Sequence, residues 1–145
     1  MLLVVVQFFL ALTHISATPT PNSSLEIHLP TGTFRGFSVA GSGVDQWLGI
    51  PFAEPPIGPL RFKAPVPITA SGEPGAVKNA TEFGNACPQL ENDGLGPPNA
   101  PISEDCLFLN VYRPSGSGDD LPVLFWLHGG AWNTGAASQT DPSGE

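Results

Sequence analysis

Residues 122–132 read Pro122-Val123-Leu124-Phe125-Trp126-Leu127-His128-Gly129-Gly130-Ala131-Trp132. Side chains alternate between the two faces of a strand, so the run from Val123 to Leu127 is apolar on both. A strand of that kind belongs inside a sheet covered on both sides, which predicts an α/β protein. A glycine pair follows at its C-terminal end, where α/β sheets place ligand sites. Adjacent glycines let backbone N–H groups turn inward and approach a bound molecule closely. Two such N–H groups aimed at a carbonyl oxygen stabilise the negative charge that develops in acyl transfer. The simpler alternative is a plain Gly-Gly turn.

Upstream, Leu107-Phe108-Leu109-Asn110-Val111-Tyr112 reads as a strand, and Pro114 to Asp120 as a turn. Near the start, Leu25-Glu26-Ile27-His28-Leu29 alternates apolar and polar residues, the pattern of a half-buried strand. Pro30-Thr31-Gly32 then turns the chain. Thr33–Val39 reads as a second strand, residues 40–43 as a turn and Val44–Leu48 as a short third strand, together a small antiparallel meander. His28 falls on the polar side of its strand and is expected to be solvated. Prolines at 51, 55, 56, 59, 65, 67 and 74 forbid regular structure between Gly49 and Gly75. That stretch is expected to pack Ile50, Phe52, Leu60 and Phe62 on the core. Residues 91–101 read as a surface loop. No segment reads as a helix.

Composition narrows the function. Gly and Pro number 17 each in 145 residues, which argues against a helical bundle or coiled coil. Charged residues make up 12%, too few for a polyelectrolyte-like disordered chain. Thirteen acids oppose five bases, a formal charge of −8. Five scattered bases give neither a nucleic-acid footprint nor a landing site for an anionic membrane.

The run Leu2–Leu12 is apolar except for Gln7 and is too short to span a bilayer. Ile15 and Ala17 then offer a cleavage site after Ala17. Residues 1–17 are therefore read as a secretory signal peptide over a buried strand or membrane anchor, with a polar linker at 18–24. The body of the protein is expected over 25–145, in a secreted, extracellular chain. Export favours one disulfide between Cys87 and Cys106, the alternative being two buried thiols. Sequons at Asn22 and Asn79 mark candidate glycosylation sites. His14, His28 and His128 are isolated, so neither a metal site nor any other cofactor is expected.

Three longer segments carry a resemblance. Glu104-Asp105-Cys106-Leu107-Phe108-Leu109-Asn110-Val111-Tyr112-Arg113-Pro114 resembles the signature of the type-B carboxylesterase/lipase family, the cholinesterase-like branch of the α/β-hydrolases. Trp47 to Pro56 and Pro59-Leu60-Arg61-Phe62 resemble its N-terminal motif. Order and spacing agree from about Thr33 to Gly135. The resemblance implies the N-terminal part of an α/β-hydrolase fold, with the meander leading into the central sheet. It also implies a Cys87–Cys106 disulfide and a partly buried Arg61–Glu104 salt bridge. Gly130 and Ala131 become the oxyanion-hole donors, with Gly129 permitting the turn and Trp132 walling the acyl pocket. The family often has Gly at the position of Ala131. Alanine keeps the N–H but makes a positive φ costly. Cholinesterases of this family carry a Trp between their first two cysteines that binds a quaternary ammonium. Pro88–Asp105 holds no aromatic residue, so a choline ester is disfavoured against a neutral small-molecule or lipid ester.

The sequence also lacks something. No serine has Gly at both −2 and +2, the pattern of the nucleophile elbow. The order in this class is Ser, acid, His, and the last histidine here is His128, inside the glycine motif. The chain is therefore expected to be the N-terminal fragment of a secreted serine ester hydrolase acting through an acyl-enzyme, truncated before the elbow and inactive alone. A non-catalytic, cholinesterase-like adhesion or interaction protein is the rival expectation. Oligomeric state is not legible.

Overall fold

The computed structural model describes residues 25–69, 75–90, 98–118, 120–140 and 142. The signal peptide, the linker and the Asn22 sequon lie outside these residues. Six strands form in chain order: β1 (Glu26–Leu29), β2 (Gly32–Arg35), β3 (Phe37–Val39), β4 (Val44–Pro51), β5 (Val77–Asn79) and β6 (Phe108–Pro114). One sheet has the order β1-β2-β5 and the other β3-β4-β6. Two 3-10 turns, Gly58–Leu60 and Ala137–Gln139, complete the regular structure among the described residues.

β1 and β2 form a hairpin whose cross-strand pairs explain its register. Ile27 lies opposite Phe34, and Glu26 opposite Arg35. The guanidinium of Arg35 donates twice to Glu26 Oε1, at 3.0 and 2.6 Å. His28 is exposed and shares a hydrogen bond with the Thr33 hydroxyl across the pair. Three-residue β5 adds to β2 in parallel, a strand too short for its sequence to announce.

The expected single strand over 33–39 is two strands in two different sheets, divided at Gly36. A Cβ at Gly36 would stand 2.6 Å from Trp47 Nε1 and collide with the Gln46 carbonyl. Here the chain lies directly against β4, and the Gly36 amide donates to Leu25 O. The buried Trp47 indole donates to the same carbonyl from the other side, at 2.9 Å. The meander thus bends at a glycine and wraps Trp47. Leu25, Phe34, Trp47, Ile50 and Ala80 form the core, with Ile27 and Leu109 packed against it.

β4 runs three residues beyond the expected end of its strand. Its ladder with antiparallel β6 slips between Trp47 and Ile50. Gly49 sits in that bulge at φ +67°, where glycine is at ease. Its amide donates to the Asn110 side chain at 2.9 Å, so a side-chain oxygen replaces the lost ladder partner. The Leu48 amide meanwhile donates to Ala80 O and ties the two sheets together.

Asp45 is the buried charge among the described residues. It accepts from Ser38 Oγ and Ser115 Oγ, both at 2.7 Å, and from Arg113 Nη2 at 2.9 Å. Burial by itself pushes its pKa up. The two hydroxyls and the Arg113 guanidinium together outweigh burial and hold the carboxyl below its ordinary value. Arg113 also lies over the Trp47 ring, so β4 and β6 are joined by a charge and by a cation–π contact.

Two expectations about packing are corrected. In the proline-rich stretch Ile50 is buried, but Phe52 is half exposed and Phe62 is 91% exposed. Phe62 has φ +59° and lies beneath the Arg61 guanidinium instead of reaching the core. The larger correction concerns residues 122–128, which form no strand. Val123 and Leu124 are each 89% exposed, and Phe125, Trp126 and Leu127 are exposed beside them. The physical reason is that a strand's hydrogen bonds lie between strands, and no described strand runs alongside this segment.

Candidate functional site: the glycine loop and its anchor

The glycine loop occupies residues 129–135. The Asn133 and Thr134 amides both donate to Gly130 O at 3.1 Å, closing a tight turn. Gly130 has φ +123°, Ala131 +51°, Trp132 +63° and Gly135 +97°. Ala131 and Trp132 are thus successive L-residues in the left-handed region, at a cost of roughly 1–2 kcal/mol each. The turning glycine is Gly130 and not Gly129, since Gly129 has no positive φ. A Cβ on Gly130 would overlap the Thr134 carbonyl, so the position admits no side chain. Among the described residues the Gly130 and Ala131 amides meet no acceptor. They are not part of any strand ladder.

His128 Nδ1 donates to Gly129 O at 2.8 Å, and the side chain is exposed. Trp132 is fully exposed. A groove of about 380 Å³ lies elsewhere, between Leu48, Thr81–Phe83 and Asn99–Pro101, and none of the glycine-loop residues lines it.

Cys87 and Cys106 are joined in a disulfide with Cα atoms 5.0 Å apart. Backbone pairing stiffens the base of the ring. The Ala86 amide donates to Pro101 O at 2.8 Å and the Ser103 amide to Ala86 O at 2.9 Å. Asn85 Nδ2 donates to Asp105 O close by. Arg61 Nε donates to Glu104 Oε1. These side chains are 54% and 40% exposed, so the pair is a surface salt bridge and not a partly buried one. Water and salt screen such a pair, which limits it to about 0–1 kcal/mol. Asn79 is exposed at the end of β5.

One residue of this site escapes sequence reasoning. Gln89, two positions past Cys87, binds both sides of the loop's exit. Its Oε1 accepts from the Gly135 amide at 2.8 Å and from Thr134 Oγ1 at 3.0 Å. Its Nε2 donates to Gly135 O and to Cys87 O, each at 3.1 Å. The partners stand 45 and 46 residues away, and no local pattern could have marked them.

The profile of the carboxylesterase family matches residues 23–144. Cocaine esterase of Oryctolagus cuniculus is 43% identical over 143 residues, covering 88% of this chain and 25% of that protein. Acetylcholinesterase of Bungarus fasciatus is 38% identical over 134 residues, 86% of this chain and 22% of that one. Para-nitrobenzyl esterase of Bacillus subtilis (strain 168) is 44% identical over 101 residues, 68% of this chain and 20% of that one. A thermophilic PNB esterase structure superposes with a TM-score of 0.71 at 37% identity, covering 81% of this chain and 24% of that one. The chain therefore spans a quarter or less of the length of these relatives, and its fold is the N-terminal part of theirs.

Proposed function

The chain belongs to the carboxylesterase family, and from that premise we propose that it is the N-terminal part of a secreted serine hydrolase of carboxylic esters. Catalysis by the whole protein runs through an acyl-enzyme: a serine attacks the ester carbonyl, and a histidine moves the proton. This chain contributes the oxyanion donors, the amides of Gly130 and Ala131. The observation that carries the reading is that those two amides lack acceptors in a turn held left-handed at Gly130, Ala131 and Trp132. Donors fixed in advance stabilise the oxyanion without reorganising, which is where such sites gain their rate. Trp132 borders the acyl group. The nucleophile, its histidine and its acid belong to polypeptide outside this sequence, so the chain alone is inactive.

A neutral small-molecule or lipid ester is the substrate class, because Pro88–Asp105 offers no aromatic ring to a quaternary ammonium. Residues 1–17 direct export, and Asn22 and Asn79 carry glycans in the secreted protein.

The test is a chimera in which residues 33–135 replace the matching stretch of para-nitrobenzyl esterase. It is expected to hydrolyse nitrophenyl esters. Gly130→Ala keeps the N–H, but its methyl would overlap Thr134 O and displace the turn that aims both donors, so kcat falls by about 10²–10³-fold, as it does when one oxyanion donor is lost. Ala131→Gly, which keeps the N–H and relieves the left-handed backbone, retains activity. An unchanged kcat in Gly130→Ala overturns the assignment. For the 145-residue chain alone, turnover abolished by a serine-directed inhibitor overturns the view that the nucleophile lies elsewhere.

A further inference from the structure

The Gln89 side chain meets Gly135 as a second backbone strand would. Its amide oxygen accepts the Gly135 N–H at 2.8 Å while its amide nitrogen donates to the Gly135 C=O at 3.1 Å. Two-point pairing of this kind fixes a peptide unit in position and in orientation. The same oxygen takes the Thr134 hydroxyl at 3.0 Å, and the same nitrogen reaches back to Cys87 O at 3.1 Å. All four bonds are within ordinary donor–acceptor distances.

The held residues are also the ones that shape the loop. A Cβ on Gly135 would stand 2.5 Å from Gly129 O and 2.7 Å from His128 Nδ1, so Gly135 packs directly against the loop's entrance. A Cβ on Gly130 would overlap Thr134 O. Displacing residues 134–135 therefore displaces Gly129 and Gly130. At its other end Gln89 is two residues from the disulfide, in a ring whose base is closed by the Ala86 pairings. Nothing else among the described residues bridges the ring to Thr134 or Gly135 through a side chain of the ring's N-terminal limb. Asn99 supplies a single longer contact to Ser138 O at 3.4 Å.

We propose that Gln89 is a positioning residue for the Gly130 and Ala131 amides, coupling the Cys87–Cys106 ring to the glycine loop. It touches no substrate and acts through Thr134 and Gly135. The inference rests on the reading of those amides as oxyanion donors, and its measurement is independent of catalysis.

The experiment is hydrogen exchange by mass spectrometry on the full chain, comparing wild type with Gln89→Ala and Gln89→Glu. The protected amides of the loop are those of Asn133, Thr134 and Gly135. In Gln89→Ala their exchange is expected to accelerate about tenfold, while peptides covering β4 and β6 keep their rates. Gln89→Glu keeps the acceptor oxygen for the Gly135 amide and the Thr134 hydroxyl but replaces the donor to Gly135 O and Cys87 O by a second oxygen, so its loop falls between the two. Unchanged loop exchange in Gln89→Ala overturns the proposal. Equal acceleration in β4, β6 and the loop also overturns it, because the residue then serves general stability. A positive exchange result with an unaffected Gly130→Ala chimera leaves the anchor standing and removes only the oxyanion reading.

Discussion

Replacing Asp45 by Ala is expected to loosen the β4–β6 pairing selectively. Asp45 is 3% exposed and accepts three hydrogen bonds, one of them from a cation. Ser38 and Ser115 are exposed, so water replaces their lost partner at little cost. The main loss is the Arg113 pair. Breaking a fully buried pair costs about 3–5 kcal/mol. The Arg113 side chain is 38% exposed, which reduces that figure to about 2 kcal/mol after screening. Arg113 keeps its seat over Trp47, yet its Nε is already without a partner among the described residues. At 1.4 kcal/mol per factor of ten, a 2 kcal/mol loss is about 30-fold in the opening equilibrium. Hydrogen exchange in peptides spanning Val44–Pro51 and Phe108–Pro114 should therefore accelerate about 30-fold in Asp45→Ala at pH 7. The effect has a defined pH dependence. A carboxyl whose folded pKa is depressed contributes stability above its unfolded value, and that stability is lost as pH falls through the folded one. The gap between wild type and variant is thus full at neutral pH and closes below about pH 4. An acceleration under threefold at pH 7, or a gap unchanged down to pH 2.5, would refute the reasoning.

Gly36→Ala should destabilise the chain by about 1–3 kcal/mol, since its new methyl meets Trp47 and the Gln46 backbone with no flexible neighbour to yield. Loss of the near-ultraviolet dichroism of the buried Trp47 is the readout, and an unaltered spectrum and melt would contradict the packing described. In a double-mutant cycle, Arg61→Ala and Glu104→Ala should show a coupling below about 1 kcal/mol that fades in 0.5 M salt. A salt-insensitive coupling near 3 kcal/mol would mean that the pair is buried after all.

Several features were legible because their cause is local. Leu25–Leu29 alternates with period two, and β1 forms there. Two cysteines in a chain with an export-like leader implied a disulfide, and Cys87 is bonded to Cys106. The motif around Cys106 and that around Trp47 marked the carboxylesterase family, to which the sequence comparisons assign residues 23–144. The apolar run 122–128 was read as a strand covered on both sides, yet it forms no strand and is exposed, because strand formation depends on a neighbour that no local pattern supplies.

The sequence by itself determined the family and the cysteine pair, because each follows from residue chemistry or from short spacing. The three-dimensional arrangement alone decided that Gly36 divides one expected strand between two sheets, that Arg61 and Glu104 meet in water, and that Gln89 holds Gly135 from 46 residues away. Those outcomes depend on which distant atoms come within about 3 Å of one another, and chain distance carries no record of that.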